Sequence, residues 1–195
     1  MLQWVWRRVV DAGCFDRVVI ATDDDAVWRV ARSFGAEVVR TGSHPSGTHR
    51  AAAVSPPEVA VVNVQVDQPL VDPAHLVQIA TALRSGAVTT LVTPRHGHDA
   101  ACVRAHVRDG RAADFSRDGE SPLQHIGIYG FAPGVVHRCA AAPRTDRTIA
   151  ESLEQLAWLD AGVPIWTVHV DSCALSVDTP ERLAAVRAEV GRSAC

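Results

Sequence analysis

Val59 to Val64 is a run dominated by valine that closes in a polar turn, Gln65-Val66-Asp67-Gln68-Pro69. A strand covered on both faces reads as such a continuous apolar run, whereas a strand with one wet face alternates. The chain repeats the pattern at Arg17–Thr22, Gly35–Arg40, Ala87–Val92 and Ile165–Val170. Between these runs lie segments with helical spacing. Leu2, Val5, Trp6, Val9 and Val10 form one, and Asp23–Ser33, Thr48–Val54, Pro73–Arg84 and Thr179–Val190 form others. Cys102–Val107 and Ile126–Tyr129 read as further strands. Ile149–Asp160 reads as one amphipathic helix, with Leu153, Leu156 and Leu159 on its apolar side and Gly162 beyond its end. Strands alternating with helices specify an α/β fold, a mostly parallel sheet with helices on both faces.

Ligands of an open α/β sheet gather at the carboxyl ends of its strands, which is where Gln65 and Asp67 emerge. Capping is the competing role for several residues here: Asp67 ahead of the helix near Pro73, Ser46 or Thr48 ahead of residues 48–54, and Asp178 ahead of Thr179-Pro180. Arg95-His96-Gly97-His98-Asp99 brings two histidines and a carboxylate together. With a glycine between them and no distant third ligand it reads as an exposed loop rather than a metal site.

A chain of 195 residues with 47% hydrophobic content supports one domain, residues 1–195. A net charge of −3 lacks the basic excess of a nucleic-acid binder. All nineteen cationic residues are arginine, so no lysine is present to meet a phosphate. Five scattered cysteines without a Cys-x-x-Cys pair indicate neither a disulfide framework nor a zinc site, which fits a reducing cytoplasm. No apolar run approaches the roughly 20 residues that span a membrane.

Asn63-Val64-Gln65-Val66-Asp67-Gln68-Pro69 resembles the Asn-Val-Gln-Gly-Asp-Glu-Pro signature of the 3-deoxy-manno-octulosonate (KDO) cytidylyltransferases. Six further pieces follow in that family's order: Ala21-Thr22-Asp23-Asp24, His44-Pro45-Ser46-Gly47-Thr48, Phe115-Ser116-Arg117, the strand His125 to Phe131, Leu153-Glu154-Gln155-Leu156 and Val177-Asp178-Thr179-Pro180-Glu181. The resemblance implies a Rossmann-like nucleotide-diphospho-sugar transferase fold. It also implies that the family's first strand and phosphate-binding loop are missing from this chain, because Met1-Leu2-Gln3-Trp4 resembles the helix that follows them.

The implied activity joins CMP from CTP to KDO or a related acid sugar with release of pyrophosphate, a step of lipopolysaccharide biosynthesis, in a cytoplasmic homodimer. Asp67 and Asp178 match the family's Mg²⁺-binding catalytic positions. Ser46, Gly47 and Gln65 match nucleotide contacts, and Arg117, His125, Tyr129, Glu154 and Gln155 match contacts to the sugar acid. Mg²⁺ between a few carboxylates clamps the attacking and leaving oxygens of such a displacement, and arginine suits a sugar carboxylate through paired hydrogen bonds. The chain departs from the pattern at His49 (Asp in the family), Val66 (Gly), Gln68 (Glu) and Ala157 (Arg), and it has only Asp118 to Gln124 where relatives carry a longer segment. Three readings remain open on the residues alone: a KDO cytidylyltransferase, a catalytically impaired or non-catalytic binding protein of the same fold, and transfer to a different acid sugar.

Overall fold

The computed structural model describes residues 1–95, 102–118 and 120–193, so His96, His98 and Asp99 of the histidine loop lie outside the described residues. Helix α1 (Leu2–Asp11) leads to β1 (Val19–Thr22), α2 (Asp25–Ser33) and β2 (Glu37–Arg40). Then come α3 (Gly47–Val54), β3 (Val61–Asn63), α4 (Pro73–Thr81) and β4 (Val88–Pro94). The hairpin β5 (Arg104–Arg108) and β6 (Arg111–Ser116) turns through Asp109 and Gly110, with φ of 51° and 73°. After β7 (Leu123–Phe131) come α5 (Val135–Ala140), α6 (Asp146–Glu151), α7 (Glu154–Asp160), β8 (Ile165–His169) and α8 (Pro180–Ser193).

Side-chain caps start the helices where the sequence offers them. The Asp24 carboxylate accepts from the amides of Ala26 and Val27 at 2.7 and 2.8 Å, Ser46 accepts from His49, Asp72 from Ala74 at 2.8 Å, and Thr179 from Arg182. Asp72 and Thr179 therefore take the capping roles that compete for Asp67 and Asp178.

The strands form two sheets. One is the parallel pair β1–β2; the other has the order β3-β7-β4-β8-β6-β5. In the larger sheet only β4–β8 is parallel, while β3–β7, β4–β7, β5–β6 and β6–β8 are antiparallel. The α/β fold with helices on both faces stands, but the sheet is mixed rather than mostly parallel. Strand β7 enters from the opposite end and inserts between β3 and β4, and an apolar run carries no mark of direction. No ladder joins β1 to β3 among the described residues. Helix α3 packs against both and connects the two sheets.

One core layer joins the larger sheet to α5 and α7 through Phe131, Tyr129, Leu156 and Trp158. The opposite layer joins it to α4 and α1 through Leu76, Ile79, Leu91 and Ile128, with Val9 and Ala12 at its margin. Gly130 sets how closely α4 can lie on β7, for a Cβ there would fall 2.7 Å from Leu83 Cδ2 and 3.2 Å from Ile79 Cγ1. The expected helix over 149–160 is two helices. Ser152, in the left-handed region at φ 53°, separates α6 from α7.

Candidate active site

The chain beyond β3 leaves the sheet in a tight turn, with Gln68 N donating to Gln65 O and Val71 N to Gln68 O, each at 3.2 Å. The chain beyond β8 comes down beside it, and Val177 N donates to Asp67 O at 2.8 Å. This bond sets Asp178 next to a residue more than a hundred positions earlier. One oxygen of Asp67 is buried with no hydrogen-bond partner. Burial, and after it the negative charge of Asp178, hold the Asp67 carboxyl above the ordinary carboxylate range. Asp178 is exposed and is oriented by Ser176 Oγ at 2.6 Å and Arg182 at 3.2 Å.

These turns open on a cavity of about 840 Å³ at the carboxyl ends of β3, β4 and β8. All ten residues matched to the family's site line it: Ser46, Gly47, Gln65, Asp67, Arg117, His125, Tyr129, Glu154, Gln155 and Asp178. Ser46 and Gly47 open α3. The Ser46 hydroxyl lies 2.9 Å from Nδ1 of His49, which thus helps to position the cap. A Cβ on Gly47 would sit 3.3 Å from Asn63 Nδ2, so the loop runs close to the end of β3.

On the far side of the cavity, Thr48, fully buried, donates to Glu154 Oε1 at 2.9 Å across 106 positions of sequence. Gln155, although polar and set between the leucines of this helix, is 3% exposed. The break at Ser152 turns α7 so that its first residues face inward. His125 is buried, with its ring edge-on to Phe115 at 4.9 Å. Its Nε2 lies 3.0 Å from Thr90 Oγ, and that hydroxyl donates to Ile128 O at 2.8 Å, so the imidazole supplies the Nε2 proton. Burial pushes His125 down to about 3, which leaves it neutral at physiological pH. Burial, followed by the charge of Glu154, pushes the Tyr129 phenol well above its ordinary value. Arg117 is anchored from behind: its amide donates to the Glu151 carboxylate at 3.1 Å and its Nε to Glu151 O at 3.0 Å. Arg117 lines the cavity, so the outer edge of its guanidinium can face a ligand.

Two departures from the family pattern are displaced from the cavity or absorbed by its wall. Val66 is 47% exposed and does not line it, so its branched side chain projects away from the site. Ala157 is buried in the wall, where it packs with Trp158.

A cytidylyltransferase family model matches residues 1–165. A 3-deoxy-manno-octulosonate cytidylyltransferase of Myxococcus xanthus is 38% identical over 200 residues, covering 92% of this chain and 81% of that protein. The chain belongs to the 3-deoxy-manno-octulosonate cytidylyltransferase family. Another such cytidylyltransferase, from Syntrophotalea carbinolica, is 34% identical over 220 residues, with 97% and 88% covered. The solved structure of a CMP:2-keto-3-deoxy-manno-octonic acid synthetase complexed with CTP matches with a TM-score of 0.89 at 29% identity, covering 98% of this chain and 88% of that one.

For a cytidylyltransferase, Asp67 and Asp178 are a fitting pair for Mg²⁺. An unpartnered buried oxygen and mutual repulsion are both relieved by a divalent cation, and Mg²⁺ commonly takes only one or two protein carboxylates, completing its shell with water and substrate phosphate. No group of three or more His, Cys, Asp or Glu side chains arranged to hold a metal ion occurs among the described residues. Arg144 and Arg182 also line this cytidylyltransferase cavity, and sequence reasoning missed both. Arg144 lies in an irregular Pro-Arg-Thr segment with no motif to mark it. Arg182, at i+4 from Asp178 on an entering helix, was legible in principle from that spacing.

Proposed function

We propose that this chain transfers CMP from CTP to 3-deoxy-manno-octulosonate, releasing pyrophosphate. The observation that carries this reading is the meeting of Asp67 and Asp178 through the Val177–Asp67 backbone bond, in one cavity with the eight other residues matched to the family's site. The loop opening α3, with Gln65, forms the nucleotide side. Glu154, held by Thr48, and Gln155 form the acceptor side with His125, Tyr129 and Arg117. Neutral His125 offers the sugar an uncharged ring nitrogen, since its Nε2 proton is committed to Thr90. The protonated Tyr129 phenol, beside Glu154, is a donor for a sugar oxygen. Arg117 suits the acceptor's carboxylate by its planar pair of donors. Mg²⁺ bound by Asp67 and Asp178 supplies neutralisation of the phosphate charge during in-line displacement.

Pyrophosphate release from CTP, with and without KDO and with a panel of other acid sugars, tests the assignment. Release that requires CTP and KDO, and that falls at least 100-fold in Asp67→Asn, is the expected result. A well-folded protein releasing pyrophosphate only with a different acid sugar overturns the acceptor. No release with any of them overturns the activity.

A further inference from the structure

Strand β5 carries a charge that the site described above does not use. Arg104 is 6% exposed, and neither its Nε nor its NH1 has a hydrogen-bond partner among the described residues. It has no ion pair among the described residues. A guanidinium does not escape burial by losing its proton, as a lysine does, so an uncompensated one is held at a standing cost unless an anion meets it.

Its neighbours are donors as well. Arg104 lies opposite Gln124 on β7, and Gln124 lies opposite Thr93 on β4, so the three side chains form one row on one face of the sheet. Thr93 is 1% exposed and its hydroxyl is also without a partner. Among the described residues the Gln124 amide makes only a 3.8 Å contact with Cys173 Sγ. No acidic side chain stands in the row. Thr93 and Gln124 line the cavity, as do Cys102 and Val103 immediately before Arg104, so the row reaches the cavity wall.

We propose that Arg104, Gln124 and Thr93 form an anion-binding subsite that takes a carboxylate or phosphate oxygen of one of the reactants. The proposal rests on the cytidylyl-transfer reading for the identity of those reactants. The subsite fixes the reactant's charged end at the sheet and so acts in positioning.

The test is calorimetric titration of the full chain with three probes, KDO, CTP and inorganic pyrophosphate, in Mg²⁺. Arg104→Gln, the near-isosteric Thr93→Val and the double variant are compared with the unaltered protein. Both single variants are expected to weaken the same probe, Arg104→Gln at least tenfold, and the double variant to lose less than the product of the two losses. Weakened KDO identifies the carboxylate as the anion; weakened CTP and pyrophosphate identify the phosphates. Should Arg104→Gln fail to fold, Thr93→Val decides. Wild-type affinity for all three probes in the folded variants overturns the subsite while leaving the activity intact. Pyrophosphate binding that depends on the row without any turnover overturns the activity and leaves the subsite. Binding of no probe overturns both.

Discussion

Asp67 shows how one residue is set for its task by what it lacks. It caps no helix, one of its oxygens has no partner, and Asp178 opposes its charge. Because its folded pKa is raised, the folded state keeps the proton to higher pH than the unfolded chain does. The metal-free protein therefore loses stability as pH rises from about 4, the ordinary aspartate value, through the folded pKa. Asp67→Asn removes that penalty. Without Mg²⁺ the variant is expected to melt at or above the wild-type temperature at pH 7, and millimolar Mg²⁺ is expected to raise the melting temperature of wild type alone. A metal-free variant melting several degrees lower contradicts this account of the carboxylate.

At the scale of elements, the acceptor side depends on α3 and α7 being locked together. Thr48→Val keeps the volume of a fully buried side chain and deletes its bond to Glu154. Loss of about 1 kcal/mol, the net worth of one such bond, predicts a roughly fivefold rise in the KM for the acid sugar with the KM for CTP unchanged. Steady-state kinetics with each substrate varied in turn reads this directly. The same two helices show where sequence reading reached and where it stopped. Helix α3 was legible because Ser46 is a cap and its role is local. The break in α6–α7 was not, since Ser152, an exposed serine, takes the left-handed C-cap position that glycine or asparagine ordinarily marks in a sequence. Strand β6 escaped notice because its Arg-Ala-Ala-Asp-Phe-Ser composition is weak in strand formers, and it is built by pairing with β5. Conversely, Asp67 and Asp178 were legible only as members of a family pattern. Each carries an equally good local reading as a cap, and only the structure shows Asp72 and Thr179 doing that work.

Across the whole molecule, the six-stranded sheet and the β1–β2 pair are unequal partners. The larger sheet is covered on both faces by the two core layers. The smaller is tied to the rest through α3, including Arg50, which bonds Asp23 at 2.8 Å and Thr41 at 2.7 Å, and through the Trp6–Phe34 contact between α1 and the end of α2. A two-stranded sheet is marginal by itself, and an ion pair this open to solvent adds little to it. Amide hydrogen exchange of the unliganded protein is therefore expected to run faster in Val19–Thr22 and Glu37–Arg40 than in β4, β7 and β8 by at least tenfold. Equal protection would show the two sheets opening as a single unit.

In the proposed reaction, two turns far apart in sequence meet to make one Mg²⁺-dependent CTP site. Calorimetric titration of CTP in Mg²⁺ into the full chain and into Asp67→Ala and Asp178→Ala tests it most directly. Saturable binding by wild type that disappears when Mg²⁺ is removed and falls at least tenfold in both variants is the expected result. Folded wild-type protein that fails to bind CTP, or binding indifferent to either aspartate, would contradict it.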